Sequence, residues 1–222
     1  MTLSLNLSDL MVTAPGGRVL LNVPSLQLAA GQTLGIAGPS GAGKSTLLFA
    51  LAGLVDNQRG RVRWGGDDLG AMRPAQRAAF RQDHIGMIFQ DFMLFDELGG
   101  AANAGIAALF QPRAARAHFR KRAAERLTRL GVADGARPVA TYSGGERQRV
   151  AVARAMAAGA GVLLADEPTA SLHRDAADAL TDDLLRDVRE SGTTMIVVSH
   201  DAGMLGRMDR VVYLRDGGLA DA

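Results

Sequence analysis

The sequence predicts an α/β fold: a mainly parallel sheet covered on both faces, an antiparallel β layer at its edge, and an inserted α-helical lobe. Three observations predict it. The runs TLGIAG (33–38), IGMIFQ (85–90), VLLAD (162–166) and TMIVVS (194–199) are short and nearly continuously apolar, as strands buried on both faces are. Helix-forming segments separate several of them, the alternation that builds a parallel sheet. From Asp91 the texture changes to alanine and arginine, and no strand signal returns until Val162. Residues 91–158 therefore read as a helical lobe set into a core formed by residues 1–90 and 159–222.

Along the chain, residues 3–12 alternate, with Leu3, Leu5, Leu7, Leu10 and Val12 as the apolar set, which predicts a strand. PGGR (15–18) is a turn, and VLLNVPSLQLA continues as edge strands. Ala30-Gly31 turns the chain into the buried strand 33–38, which runs into a glycine-rich loop. STLLFALAGL is apolar at helical spacing and ends near Gly53, and GRVRWGG is a further strand of the antiparallel layer. RAARAHFRKRAAERLTRLG (113–131) predicts a helix stopped by Gly131, and GERQRVAVARAMA predicts another. A helix near Ala176–Ser191 and the strand RVVYLRDG (210–217) complete the reading.

Composition bounds the function. With 222 residues the chain forms one domain, or a core with one lobe. No run approaches the roughly 18 apolar residues of a membrane span, and MTLSLNLSDL lacks the basic start and long apolar segment of a secretory leader. A cytoplasmic protein is expected. There is no cysteine, which excludes disulfides, zinc clusters and thiol nucleophiles. A net charge of +2 gives no reason to expect a nucleic-acid partner. The only lysines are Lys44 and Lys121, and the first lies in the glycine-rich loop, where a compact point charge suits phosphate oxygens.

That loop, GPSGAGKST (38–46), is a phosphate-binding motif, so the core is expected to be of the P-loop NTPase type. Gly38, Gly41 and Gly43 let the backbone curl its amides inward, beside the positive end of a helix that begins near Lys44. Ser40, Ala42 and Thr46 complete the expected nucleotide-binding set. Lys44 is expected to bridge the β- and γ-phosphates, and the Ser45 hydroxyl to bind Mg²⁺. Asp166 ends an apolar strand, where an open sheet keeps its ligand crevice. It is expected to hold the metal through water, while Glu167 accepts the proton of the attacking water. Without the phosphate loop, the Asp–Glu pair before Pro168 would read as a helix cap.

Ser143, Gly144 and Gly145 open the helix GERQRVAVARAMA, and a serine cap on two glycines at a helix start is a second anion site. With YSGGERQ and VLLADEP following GPSGAGKST in this order, the chain resembles the ATP-binding subunit of an ABC transporter along nearly its whole length. The resemblance implies an ATPase that uses ATP and Mg²⁺. It implies that Gln90 touches the metal and the water, and that His200, in VSHD, reaches the γ-phosphate. It further implies a head-to-tail dimer, of two copies or of this chain with a related ATPase. Each phosphate loop there meets the partner's Ser143–Glu146 segment. Glu146 stands where many members have glutamine. An integral membrane permease is the implied partner, with FMLF (92–95) lining the groove that receives it and the subunit held at the cytoplasmic face of the inner membrane.

Within the family, FRQDHIGMIFQDFMLFDEL is most similar to the branch of lipoprotein-release, macrolide-export and cell-division ATPases, with Asn103 as the helix-start asparagine. This favours extrusion, although importers share most of these letters. A regulatory ATPase acting on a membrane partner that moves no solute stays open. A DNA-maintenance ATPase is disfavoured, because no coiled-coil or zinc insertion separates the phosphate loop from SGG. Two departures matter. No aromatic residue precedes Phe49, although the family stacks adenine on one near Ala14 and Pro15. His173 occupies a position where the family usually has an aspartate that crosses the dimer interface, and Asp175 falls two residues later.

Overall fold

The structure is a computed structural model that describes residues 2–132 and 137–221. Residues 133–136 of the expected lobe, and both terminal residues, lie outside the described residues.

The amino-terminal part forms a four-stranded antiparallel layer ordered β2-β1-β4-β5. β1 (Leu5–Thr13) pairs with β2 (Val19–Leu28) and with β4 (Gln58–Trp64), which carries the two-residue β5 (Asp67–Asp68). Pro24, which has no N–H to give, falls on β2 at the layer's edge, where such a residue is tolerated. The leucines of β1 point inward: Leu5, Leu7 and Leu10 are fully buried, and Trp64 anchors the layer by donating its indole N–H to Leu51 O at 2.8 Å.

The second sheet has six strands in the order β10-β9-β3-β8-β7-β6. β3 (Thr33–Ala37), β6 (Ile85–Ile88), β7 (Val162–Asp166), β8 (Thr194–Val198) and β9 (Arg210–Arg215) run parallel. β10 (Gly218–Asp221) turns back antiparallel to β9. All residues of β7 and β8 are buried, so the continuous apolar runs reflect cover on both sides. One core cluster joins the two sheets around α1 (Lys44–Leu51). Another packs the opposite face against α5 (Gly144–Ala157) and α6 (Arg174–Ser191). A third, built around Phe119, Leu127 and Val150, unites α3 (Gly100–Ala104), α4 (Arg113–Arg129) and α5.

Several elements differ from expectation. α2 (Pro74–His84) was not foreseen; only Phe80 of it is buried, which leaves almost no apolar periodicity to read. Its start is nonetheless coded: Pro74 is the first helical residue, and the Gln76 side chain accepts the Arg73 N–H at 2.9 Å. The short α7 (Ala202–Leu205) and β10 were also missed, and α6 begins at Arg174 rather than near Ala176. Strand β6 ends at Ile88, which leaves Gln90 two residues beyond it.

Candidate functional site

The parallel register brings the motifs to one edge of the sheet. Ile36 pairs with Val198, Asp166 with Val198, and Ile88 with Ala165. The carboxyl ends of β3, β6, β7 and β8 therefore finish side by side, the place where open α/β sheets bind ligands. A cavity of about 460 Å³ opens there. Its walls are Gly38, Ser40, Gly41, Gly43, Lys44, Ser45 and Thr46 from the loop and α1, joined by Gln90, Asp166, Glu167, Ala170, Val198 and His200.

The loop can exist only as glycine at its key points. Gly38 has φ 147°, and a Cβ there would run into the Leu214 carbonyl of β9. Gly43, at φ 98°, ends the loop just before α1. Lys44 turns back over the loop and donates from Nζ to Gly38 O at 2.8 Å and Pro39 O at 3.0 Å. Its ammonium is thus held by two carbonyls of the loop itself. Ala42 is buried and faces an adjoining cavity of about 310 Å³ instead. That cavity shares Ser40 and Gly41 with the first and is closed by Arg18, Val19, Leu20, Asp216 and Gly217. Among the described residues no aromatic ring lines it.

Asp166 carries the clearest sign of a cation site. It is buried, and its Oδ1 has no hydrogen-bond partner. Burial pushes its carboxyl above the ordinary range; the Ser45 hydroxyl opposes that, Glu167 adds to it, and Lys44 opposes it. An orphaned carboxylate oxygen beside a serine hydroxyl fits a hard divalent cation that takes oxygen ligands and keeps several waters.

Glu167 adopts a left-handed backbone (φ 49°) fixed by its N–H, which donates to Val198 O at 2.9 Å. Its carboxylate is mostly buried, and Oε2 lies 2.9 Å from His200 Nδ1. Ser199 Oγ and the His200 N–H approach the same oxygen, each at 3.4 Å. The His200 side chain is 73 % exposed.

The Ser143–Glu146 segment stands apart from this cavity and contributes nothing to its walls. Ser143 Oγ accepts the Glu146 N–H at 3.2 Å, and Glu146 Oε2 accepts the Ser143 N–H at 2.8 Å, a reciprocal cap. The Ser143 N–H bond, aided by Arg137, holds the Glu146 carboxyl below its usual range. Ser143 and Gly144 are exposed. Behind them lies the loop that leads to His173: a Cβ on Gly144 would touch Ser171, and one on Gly145 would press on Leu172.

A family model described as ABC transporter matches residues 21–170. The chain belongs to the ABC transporter family. Membership makes this cassette an ATPase that works with ATP and Mg²⁺. It is 40% identical over 203 residues to the "Uncharacterized ABC transporter ATP-binding protein YbbA" of Escherichia coli (strain K12), covering 91% of this chain and 89% of that one. It is 38% identical over 205 residues to the lipoprotein-releasing system ATP-binding protein LolD of Paramagnetospirillum magneticum, with 91% and 89% covered. Against the macrolide export ATP-binding/permease protein MacB of Rhodopseudomonas palustris it is 41% identical over 204 residues, but spans only 30% of that longer protein. Among solved structures, the cassette MJ0796, in a dimeric post-hydrolysis state bound to ADP and Pi, superposes with a TM-score of 0.88. The sequences are 30% identical, and 98% of each chain is covered. The sequence reading missed Ala170 and the adjoining cavity, because neither carries a motif of its own.

Proposed function

We propose that this cassette is the motor subunit of an export-type ABC transporter. Two copies, or this chain and a related ATPase, close head to tail on ATP and move an integral membrane permease from its cytoplasmic side. One observation carries the dimer: the cavity holding Lys44, Asp166, Glu167 and His200 takes nothing from Ser143–Glu146, although Ser143 and Gly144 are exposed at the start of α5. A second protomer would supply what one protomer leaves open.

In this reading, the loop amides and Lys44 bind and orient the phosphates. Ser45, Gln90 and Asp166 hold Mg²⁺, which supplies charge neutralisation at the transferring phosphoryl group. Glu167 takes the proton from the attacking water, and its left-handed backbone aims the carboxylate into the cavity. His200 orients Glu167 and is free to turn to the γ-phosphate. Ser143, Gly144 and Gly145 donate to the opposite nucleotide, and Glu146 locks their cap. Core (1–90 and 159–222) and lobe (91–158) act as two parts joined near Gln90.

Exposed apolar residues on the lobe support a permease as partner: Met93 and Phe95 are 57% and 53% exposed, whereas Leu94 packs into the lobe. The likeness to LolD and MacB supports export and membrane attachment. Among the described residues no helix is long and apolar enough to cross a membrane, consistent with a peripheral subunit.

The test is assembly. Glu167→Gln protein mixed with Mg·ATP should sediment as a dimer, and Gly144→Asp added to it should sediment as a monomer. A Glu167→Gln protein that remains monomeric at saturating ATP overturns the shared site.

A further inference from the structure

The family motifs end at His173 and His200, but the structure joins the segments that follow them. Arg174 is the first residue of α6, and Asp201 follows His200. Arg174 Nη1 donates to Asp201 Oδ1 at 2.8 Å. The rest of the guanidinium is aimed by Asp178, which accepts from Nε at 2.9 Å and from Nη2 at 2.8 Å. Asp178 is itself fixed by Arg207 Nη2 at 3.0 Å, and Arg207 Nη1 continues to Asp182 at 3.1 Å. Such a fork has one geometry, unlike a single point charge.

Asp201 sits at the centre of the loop that carries the imidazole. Its Oδ1 also accepts the Gly203 N–H at 2.8 Å, and its own N–H donates to Ser199 Oγ at 3.0 Å. Ser199 and His200 both approach Glu167 Oε2. The Arg174 guanidinium lies over Gly203, where any Cβ would collide with it. The bonds therefore run from α6 through Asp201 to the two residues that face Glu167. Burial opposes a charge on Asp201, but the bonds from Arg174 and the Gly203 amide outweigh it and hold the carboxyl below its usual range.

We infer that Arg174 is a positioning residue for His200: it clamps the Ser199–Gly203 loop through Asp201 and so keeps the imidazole beside Glu167. This rests on the role proposed above for His200. Because the Arg174 side chain is mostly exposed, its ion pairs add little to global stability. The effect belongs to the loop rather than to the fold.

The experiment uses the full chain. The protein has four histidines, so His200 can be identified in imidazole NMR spectra by its loss in His200→Gln. In nucleotide-free Arg174→Ala the His200 signal is expected to move and broaden, and Arg174→Lys should restore it in part. The melting temperature should fall by no more than about 3 °C. With Mg·ATP, kcat should fall about tenfold at unchanged KM, short of the roughly 100-fold that a 1 Å misplacement can cost. Added to His200→Gln, Arg174→Ala should lower kcat no further. An unmoved His200 signal in Arg174→Ala, with His200→Gln itself impaired, overturns the clamp alone. Parent-like turnover in His200→Gln overturns the role of His200 and the clamp with it.

Discussion

His200 Nδ1 and Glu167 Oε2 stand 2.9 Å apart at the ends of two neighbouring parallel strands. Glu167 holds this place in a left-handed conformation that costs about 1–3 kcal/mol and persists only where its surroundings fix it. Here the fixing bond is its own N–H to Val198 O. Glu167→Gln keeps the shape and removes the proton acceptor. Phosphate release should fall by about 10²–10⁴-fold, with binding of labelled ATP retained. Turnover at the parent rate would remove Glu167 from the reaction.

Asp166 gives a prediction about stability. Its carboxyl is raised above the ordinary value of 3.8, chiefly by burial. An acid raised on folding adds stability below its ordinary value and loses it as pH climbs through the raised one. At neutral pH this buried carboxyl, whose Oδ1 has no hydrogen-bond partner, therefore costs the nucleotide-free protein stability. Asp166→Asn should melt about 2–4 °C higher than the parent at pH 7, and the gap should close toward pH 3.8. Calorimetry across that range decides it; a variant less stable at every pH contradicts the assignment.

Base choice follows from the cavity beside the phosphate loop. Arg18, Val19 and Leu20 line it, with no ring to stack on a base. An aromatic platform contributes roughly 1–3 kcal/mol per base, so its lack should leave ATP and GTP hydrolysed at comparable rates. Val19→Tyr should tighten ATP binding by about tenfold, within that same range. Titration with fluorescent nucleotides measures both; a strong preference for ATP in the parent would contradict this.

His173 caps α6 without using its side chain and stays exposed. One exposed charge contributes at most about 1 kcal/mol, so His173→Asp should leave turnover within about fivefold. A larger gain at saturating Mg·ATP would show that histidine restrains this cassette.

Much of this architecture was legible in the sequence, for physical reasons that vary by element. β3, β7 and β8 are buried on both faces, so their runs are apolar without interruption. α2 hides because one buried side chain, Phe80, is enough to seat it. At the site, the glycine loop, Asp166, Glu167 and His200 were readable because each stands at or just past the carboxyl end of a strand at the same sheet edge. The left-handed turn at Glu167 and the Arg174–Asp201 bond were not. Both depend on partners some 30 residues away in sequence, which no local pattern encodes.

The Leu214 carbonyl touches Gly38, and the Asn22 N–H donates to Gly217 O at 2.8 Å. The floor beneath the phosphate cradle is thus laid by a strand that follows it in the chain by more than 170 residues. During synthesis the early strands and the glycine loop emerge first, with nothing under them. Nucleotide can then stabilise the fold only once β9 is in place, so a product cut short before Leu214 gains no protection from cellular ATP and stays open to proteolysis.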